Sequence, residues 1–395
     1  MKIIKTNKFS DVFVLIRTML PLNRQTITAM NLLVFMMRAK TKDLDTKQKI
    51  SMAFNSTYGM QVSYGLTGYG KQVALDIRFK YLRQDYVQEP DYIQHVVDNM
   101  EQMLHQVVLD DETLEEAKYL LKTRLMRQMD DPDSIAIKNA LMNAQENHEI
   151  SLQIQGYMED IDSISLDQIL NLYDDFIQTS KQIYICGAVD SAVANFLKQE
   201  KQLNQLQGNF QIIKPQEKKK ICIEKEISQT SLVQVYATQV SLDSTMYYPL
   251  LVMNSILGQC PMNLLFEEVR EKNSYCYSIS SNLIRFDGAL VIVVGTNKNN
   301  VEDVQNLIQQ QIFRLAQGNF DDRLLEIAKT DLVDGIRSQK DHAFSMIEQS
   351  FLDDLLHRSE TSEDKIRKIR NVTRQEVQKV AKRLCLVSIS IVEEK

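Results

Sequence analysis

The sequence predicts an α+β fold made twice over: two tandem homologous domains, each an antiparallel-rich sheet with helices packed on one face. Three observations predict it. Residues 110–130, DDETLEEAKYLLKTRLMRQMD, recur as residues 321–341, DDRLLEIAKTDLVDGIRSQKD, with nine of the 21 aligned positions identical. A capped helix leading to an apolar strand also recurs, at 165–187 and again at 373–392. Both openings, Ser165 to Gln168 and Thr373 to Glu376, set a hydroxyl three residues before Gln or Glu, the spacing of a capping box. Finally, 395 residues, 44% hydrophobic and 25% charged, suffice for two ordinary cores without disulfide staples.

The elements follow in the same order in each half. Strand-like residues 12–15 precede an apolar helical run at 26–38. In the second half, 232–237 precede 246–257. A pair of alternating segments comes next, 61–66 with 73–79 and 275–282 with 289–295. Alternation marks strands buried on one face. Long helical patterns, the capped helix and a last strand complete each unit. Residues 197–220 are rich in Lys, Gln, Asn and Glu and contain Pro215, so the boundary falls there. The expected domains are 1–200 and 221–395, joined by a linker at 201–220 in which Lys218, Lys219 and Lys220 are solvated.

Charge and patterning exclude several classes of function. A net charge of −6 gives poor purchase on a phosphate backbone, so no nucleic acid is expected. The apolar run at 12–16 is cut by Arg17, and residues 1–5 lack the long apolar stretch of a signal peptide. No membrane partner and a cytoplasmic location are expected. The five cysteines form no CxxC and read as reduced thiols.

Chemistry is sparse. None of the five histidines stands at the i, i+4 spacing that lets one helix face hold a metal. The glycines between 65 and 70 read as a turn between strands, and no G-x-S-x-G elbow is present. One constellation stands out, MNLLFEEVREKNSYCYS at 262–278. Arg270 and Tyr277 flank the turn from a helix into a strand. Both are donors able to orient or neutralise an oxygen. Spacing alone favours an Arg paired with an acid and a Tyr packed on a sheet.

The stretch 263–278 resembles the second-domain signature of pitrilysin/insulinase-type zinc metallopeptidases. Residues 254–258 (NSILG) and 289–296 (ALVIVVGT) are also similar to that family. Its enzymes carry H-x-x-E-H on a first-domain helix, two imidazoles for zinc and a Glu as general base. The equivalent residues here are Asn31, Val34 and Phe35, and the downstream acid falls near Arg124, with Glu115 and Glu116 close by. The resemblance therefore implies the inactive, bacterial processing-peptidase-like branch. It implies a chain that binds no zinc and is not active alone. Its partner would be a catalytic family member carrying the zinc motif and the zinc, and its substrate a peptide or small protein. Together the two chains would enclose a peptide-binding chamber as a heterodimer, with Arg270 and Tyr277 donated in trans. A homodimer stays open. The alternative is a non-proteolytic peptide- or protein-binding scaffold accessory to modification of a translation elongation factor.

Overall fold

A computed structural model describes residues 1–203 and 205–395. The first half contains β1 (Lys2–Ile4), β2 (Asp11–Pro21), α1 (Ile27–Met36), α2 (Lys47–Ser56), β3 (Gln61–Tyr69), β4 (Gln72–Leu82), α3 (Tyr92–His105), α4 (Asp111–Asp130), α5 (Pro132–Met142), α6 (Leu166–Gln178), β5 (Gln182–Cys186) and α7 (Ser191–Lys198). The second contains β6 (Lys219–Lys225), β7 (Thr230–Ala237), α8 (Tyr247–Asn254), β8 (Cys276–Ile284), β9 (Ala289–Thr296), α9 (Val301–Gln317), α10 (Asp322–Ser338), α11 (Ala343–Leu355), α12 (Ser362–Arg370), α13 (Arg374–Ala381) and β10 (Cys385–Glu394). Both predicted capping boxes form, Ser165 with Gln168 and Thr373 with Glu376.

The two five-stranded sheets have one topology. Their orders are β1-β5-β2-β4-β3 and β6-β10-β7-β9-β8, so each strand of the first half has its counterpart in the second. Each outermost pair is parallel, β1 with β5 and β6 with β10, and the remaining pairs are antiparallel. On one face of the first sheet Val14, Ile16, Leu75, Ile77 and Phe79 pack with helix residues such as Leu32, Leu33, Met100 and Leu121. Leu232, Tyr236, Leu290 and Ile292 do the same in the second sheet against α8, α9 and α13.

The opposite face of each sheet is covered by a helix from the other half of the sequence. One compact unit comprises 1–126, 153–209 and 339–358. The other comprises 127–152, 210–338 and 359–395. In the first unit α11 lies against β2 and β5. In the second, α5 lays Ala136 and Ala140 against Val233, Val235 and Val387. Alanines leave no side-chain bulk between helix and sheet, so the backbones approach closely.

Arg17 does not end its strand. β2 runs through it to Pro21, and Arg17 sits opposite Asp76 on β4. Its Nε and Nη2 donate to Asp76 Oδ1 and Oδ2, both at 2.7 Å, with both side chains fully buried. From α11, Glu348 Oε2 lies 3.0 Å from Nη2 and the Phe351 ring centroid 4.0 Å from the guanidinium carbon. Burial opposes the charge, but the bond and field of Asp76 outweigh it and raise the Arg17 pKa. A bidentate pair satisfies in-plane donors that burial would otherwise orphan.

Two local expectations need correction. Residues 65–69 lie within β3, and only Gly70, at φ +60°, makes the turn into β4. Residues 219 and 220 are not solvated linker; they open β6. Its alternating half-buried and exposed positions are those of an edge strand, where lysines keep other strands from adding. The segment before it is also held to the second unit. Ile213 N donates to the Asp287 carbonyl at 2.8 Å, and His148 Nε2 meets the Gln211 carbonyl at 2.7 Å.

Candidate functional site

The residues that the resemblance sets at the zinc-motif positions lie on α1, which is buried nearly all round: of its ten residues only Phe35 is more than slightly exposed. Asn31 and Phe35, four residues apart, share one helix face. Asn31 is 4% exposed and fully engaged. Its Nδ2 donates to the Ile27 and Ile154 carbonyls, each at 2.8 Å, and its Oδ1 accepts from Arg124 Nη2 at 2.5 Å. The same Nη2 reaches the Gln155 carbonyl at 2.9 Å. α4 delivers Arg124 because Leu121 and Leu125 beside it are buried in the core.

Phe35 is a platform for two cations. The Arg124 guanidinium carbon is 5.2 Å from its ring centroid and that of Arg38 is 4.4 Å away. Burial lowers the Arg124 pKa, and the charge of Arg38 lowers it further. Burial also lowers that of Arg38, against the attraction of Glu116. Both remain cations at any ordinary pH. Sequence reasoning passed over Arg38, which lies in the turn just past the end of α1, three residues beyond Phe35.

These residues do not fit a zinc ion. A catalytic site needs three lone-pair donors and an open position. Here the Asn31 amide is spent on main-chain carbonyls and Arg124, and a phenyl ring offers no lone pair. Val34 takes no proton, and Arg124 brings a guanidinium to this face instead of a carboxylate. Glu115 and Glu116 are bonded to Lys118 and Lys47. Among the described residues, no group of three His, Cys, Asp or Glu side chains could hold a metal.

In the second unit, α8 continues into a widened turn, Ser255–Gln259, that kinks at Gly258. A Cβ at Gly258 would stand 2.8 Å from the Ser281 nitrogen, so glycine lets the helix end rest on β8. Ser281 Oγ donates to Asn254 Oδ1 at 2.7 Å there. The chain then winds through a second wide turn, Phe266–Lys272, anchored by buried Leu264, Leu265 and Val269. Arg270 projects from this turn into solvent, 5.0 Å above the Phe266 ring. Tyr277 opens β8, is 60% exposed and donates to Asn297 Oδ1 at 3.4 Å. Burial raises the Cys276 thiol to about 11 against the pull of Arg270, so that charge acts close to the start of β8. Among the described residues, no hydrogen bond joins Arg270 to Tyr277 and no acid is paired with Arg270.

Comparison with known proteins places this geometry. Residues 163–332 match the family model for the peptidase M16 inactive domain. Over 401 aligned residues, 97% of this chain and 93% of the relative, the sequence is 25% identical to "Probable inactive metalloprotease YmfF" of Bacillus subtilis (strain 168). The chain is thus similar to M16-family peptidases, and to relatives named as inactive, over nearly its whole length. Its fold is that of solved M16-type structures. A conserved protein from Enterococcus faecalis V583 superposes with TM-score 0.88 at 23% identity, covering 100% of this chain and 96% of that one. The peptidase M16 inactive domain from Pseudomonas fluorescens superposes with TM-score 0.80 at 16% identity, covering 100% and 95%.

The chain's remaining candidates do other work. His105 Nε2 lies 2.7 Å from Glu200, whose hydrogen bond raises the imidazole pKa. His95 lines a surface depression with Tyr58, Glu89, Tyr92 and Asp98. No helix among the described residues is long and apolar enough to cross a membrane. All five cysteines are free thiols.

Proposed function

We propose that this chain is the non-catalytic subunit of a zinc-peptidase heterodimer and lends Arg270 and Tyr277 to the partner's active site. The observation that carries the reading is a contrast in state between two sets of residues. At the zinc-motif helix a guanidinium bonded to Asn31 stands where a metal would need ligands. At the start of β8, two donors are exposed and lightly engaged. Among the described residues, Arg270 has stacking over Phe266 but no acid, and Tyr277 has one long hydrogen bond. Donors in that condition can turn toward a developing oxyanion without first breaking a strong interaction. The partner would carry H-x-x-E-H and the zinc, and the substrate would be a peptide or small protein held between the chains.

The test is a peptidase assay on the reconstituted pair. Arg270→Ala and Tyr277→Phe should each lower kcat about 10²-fold, the usual cost of a transition-state donor, with peptide affinity little changed. Unchanged kcat in the double variant would exclude donation in trans.

A further inference from the structure

We propose that the surface built by Phe35, Arg38 and Arg124 is a receptor for a carboxylate group, carried by a peptide C-terminus or an acidic side chain. Arg38 is exposed and, among the described residues, makes no hydrogen bond or ion pair; its contact is the Phe35 ring. The carboxylate whose field acts on it, Glu116, is bonded to Lys47. Among the described residues, Arg124 uses only Nη2 in hydrogen bonds. Its Nε is buried without a partner.

The ring satisfies the faces of the guanidiniums and leaves the in-plane edge of Arg38 free, while Arg124 beside it, its Nη2 spent on Asn31 and Gln155, adds charge. A cation over an aromatic face gains about 0.5–2 kcal/mol and consumes no N–H. The in-plane fork of an Arg is what takes a carboxylate in two parallel bonds. Two like charges over one ring also repel, which appears as the depression of Arg124 by Arg38. A bound anion removes that repulsion. With a net charge of −6 and only these two guanidiniums together, the surface suits one planar carboxylate better than a polyphosphate chain. The proposal does not rest on pairing with a catalytic subunit, because it concerns the isolated chain.

The experiment is calorimetric titration of the full chain with three forms of one acetylated hexapeptide. These are the free C-terminal acid, the C-terminal amide, and the amide with one internal Glu. The acid should bind at least about tenfold more tightly than the plain amide, the lower range for a hydrogen bond to a charged group. Tighter binding of the Glu-containing amide instead assigns the site to acidic side chains and equally supports a carboxylate receptor. Arg38→Gln should cost about tenfold, and Lys218→Gln, on the segment before β6, nothing. Because Arg38 makes no hydrogen bond, Arg38→Gln leaves the fold intact; Arg124→Gln, which also loses the Asn31 bond, is the second variant. Equal binding of all three peptides, no binding, indifference to Arg38→Gln, or inorganic phosphate binding more tightly than the acid peptide would overturn the proposal.

Discussion

If the Arg124 guanidinium takes the place of a metal charge, rebuilding the zinc motif without removing it should fail, and the size of the failure can be worked out. The background variant carries Asn31→His, Val34→Glu and Phe35→His. In it, a dication bound by residue 35 would lie roughly 5 Å from the Arg124 guanidinium, as the Phe35 ring centroid now does at 5.2 Å. At an effective dielectric of about 20, a unit charge and a dication at that distance repel by about 6 kcal/mol, roughly four to five orders of magnitude in affinity. Arg124→Leu in the same background removes the charge without adding a ligand, and Arg124→Glu adds the third donor. Zinc affinity, measured by competition with a chromogenic chelator, should therefore rise in the order Arg, Leu, Glu. Only the Glu variant should hold one zinc per chain through dialysis, because two imidazoles alone make a weak site. Equal affinity in the Arg and Leu variants would refute the electrostatic argument. No zinc in the Glu variant would refute the alignment of Arg124 with the missing acid.

Two further perturbations test how the fold holds these surfaces. Asp76→Ala leaves Arg17 buried with only Glu348 beside it and should cost about 3–5 kcal/mol in urea unfolding followed by far-UV circular dichroism. Glu348→Gln, at a side chain 34% exposed, should cost about 1 kcal/mol or less. Equal losses would mean that Asp76 is not the main counter-ion. Asp287 supplies a pH test. Burial first, and then Glu149, raise its carboxyl to about 7, and His148 Nδ1 lies 3.8 Å away. A carboxyl raised in the folded state contributes stability that is whole below its unfolded value near 4 and is lost as pH rises to about 7. Asp287→Asn should thus stabilise the chain at pH 8, by at most about 4 kcal/mol, and leave it unchanged near pH 3.5. A melting-temperature gain of equal size at both pH values would contradict the assignment.

Much of the fold could be read because its signals are local. Capping boxes at Ser165 and Thr373 depend on residues three apart, and both form. The segments 73–79 and 289–295 did become strands, but they are buried on both faces and not on one, because their sheets are covered on each side. What escaped was set by contacts distant in sequence. β1 is three residues long, and β6 hides behind lysines that suit a sheet edge. Arg17 looked like the end of an apolar run because its partner, Asp76, lies 59 positions away. The site divides the same way. Asn31 and Phe35 follow from helical spacing, whereas the meeting of Arg124 with them needs α4 to be laid across α1, which no spacing encodes.

The exchanged helices explain why the duplication reads as two self-contained halves and does not build that way. Each half supplies strands in the same order, so each sheet looks complete from its own sequence. Yet β2 and β5 present Phe13, Arg17 and Tyr184 on the face away from the main core, and the groups that meet them come from α11. Phe344 stacks edge-on against Phe13, Phe351 lies over Arg17, and Asp354 accepts from the Tyr184 hydroxyl at 2.8 Å. A chain cut at residue 200 would keep the Arg17–Asp76 pair but lose its cover, exposing two rings and a buried ion pair to water. Apolar area and a desolvated charge pair are both involved, so the cost is larger than either repeat suggests. The functional unit of this fold is therefore the whole chain, and the α1 face and the β8 turn are each presented by a body that the other half of the sequence helps to complete.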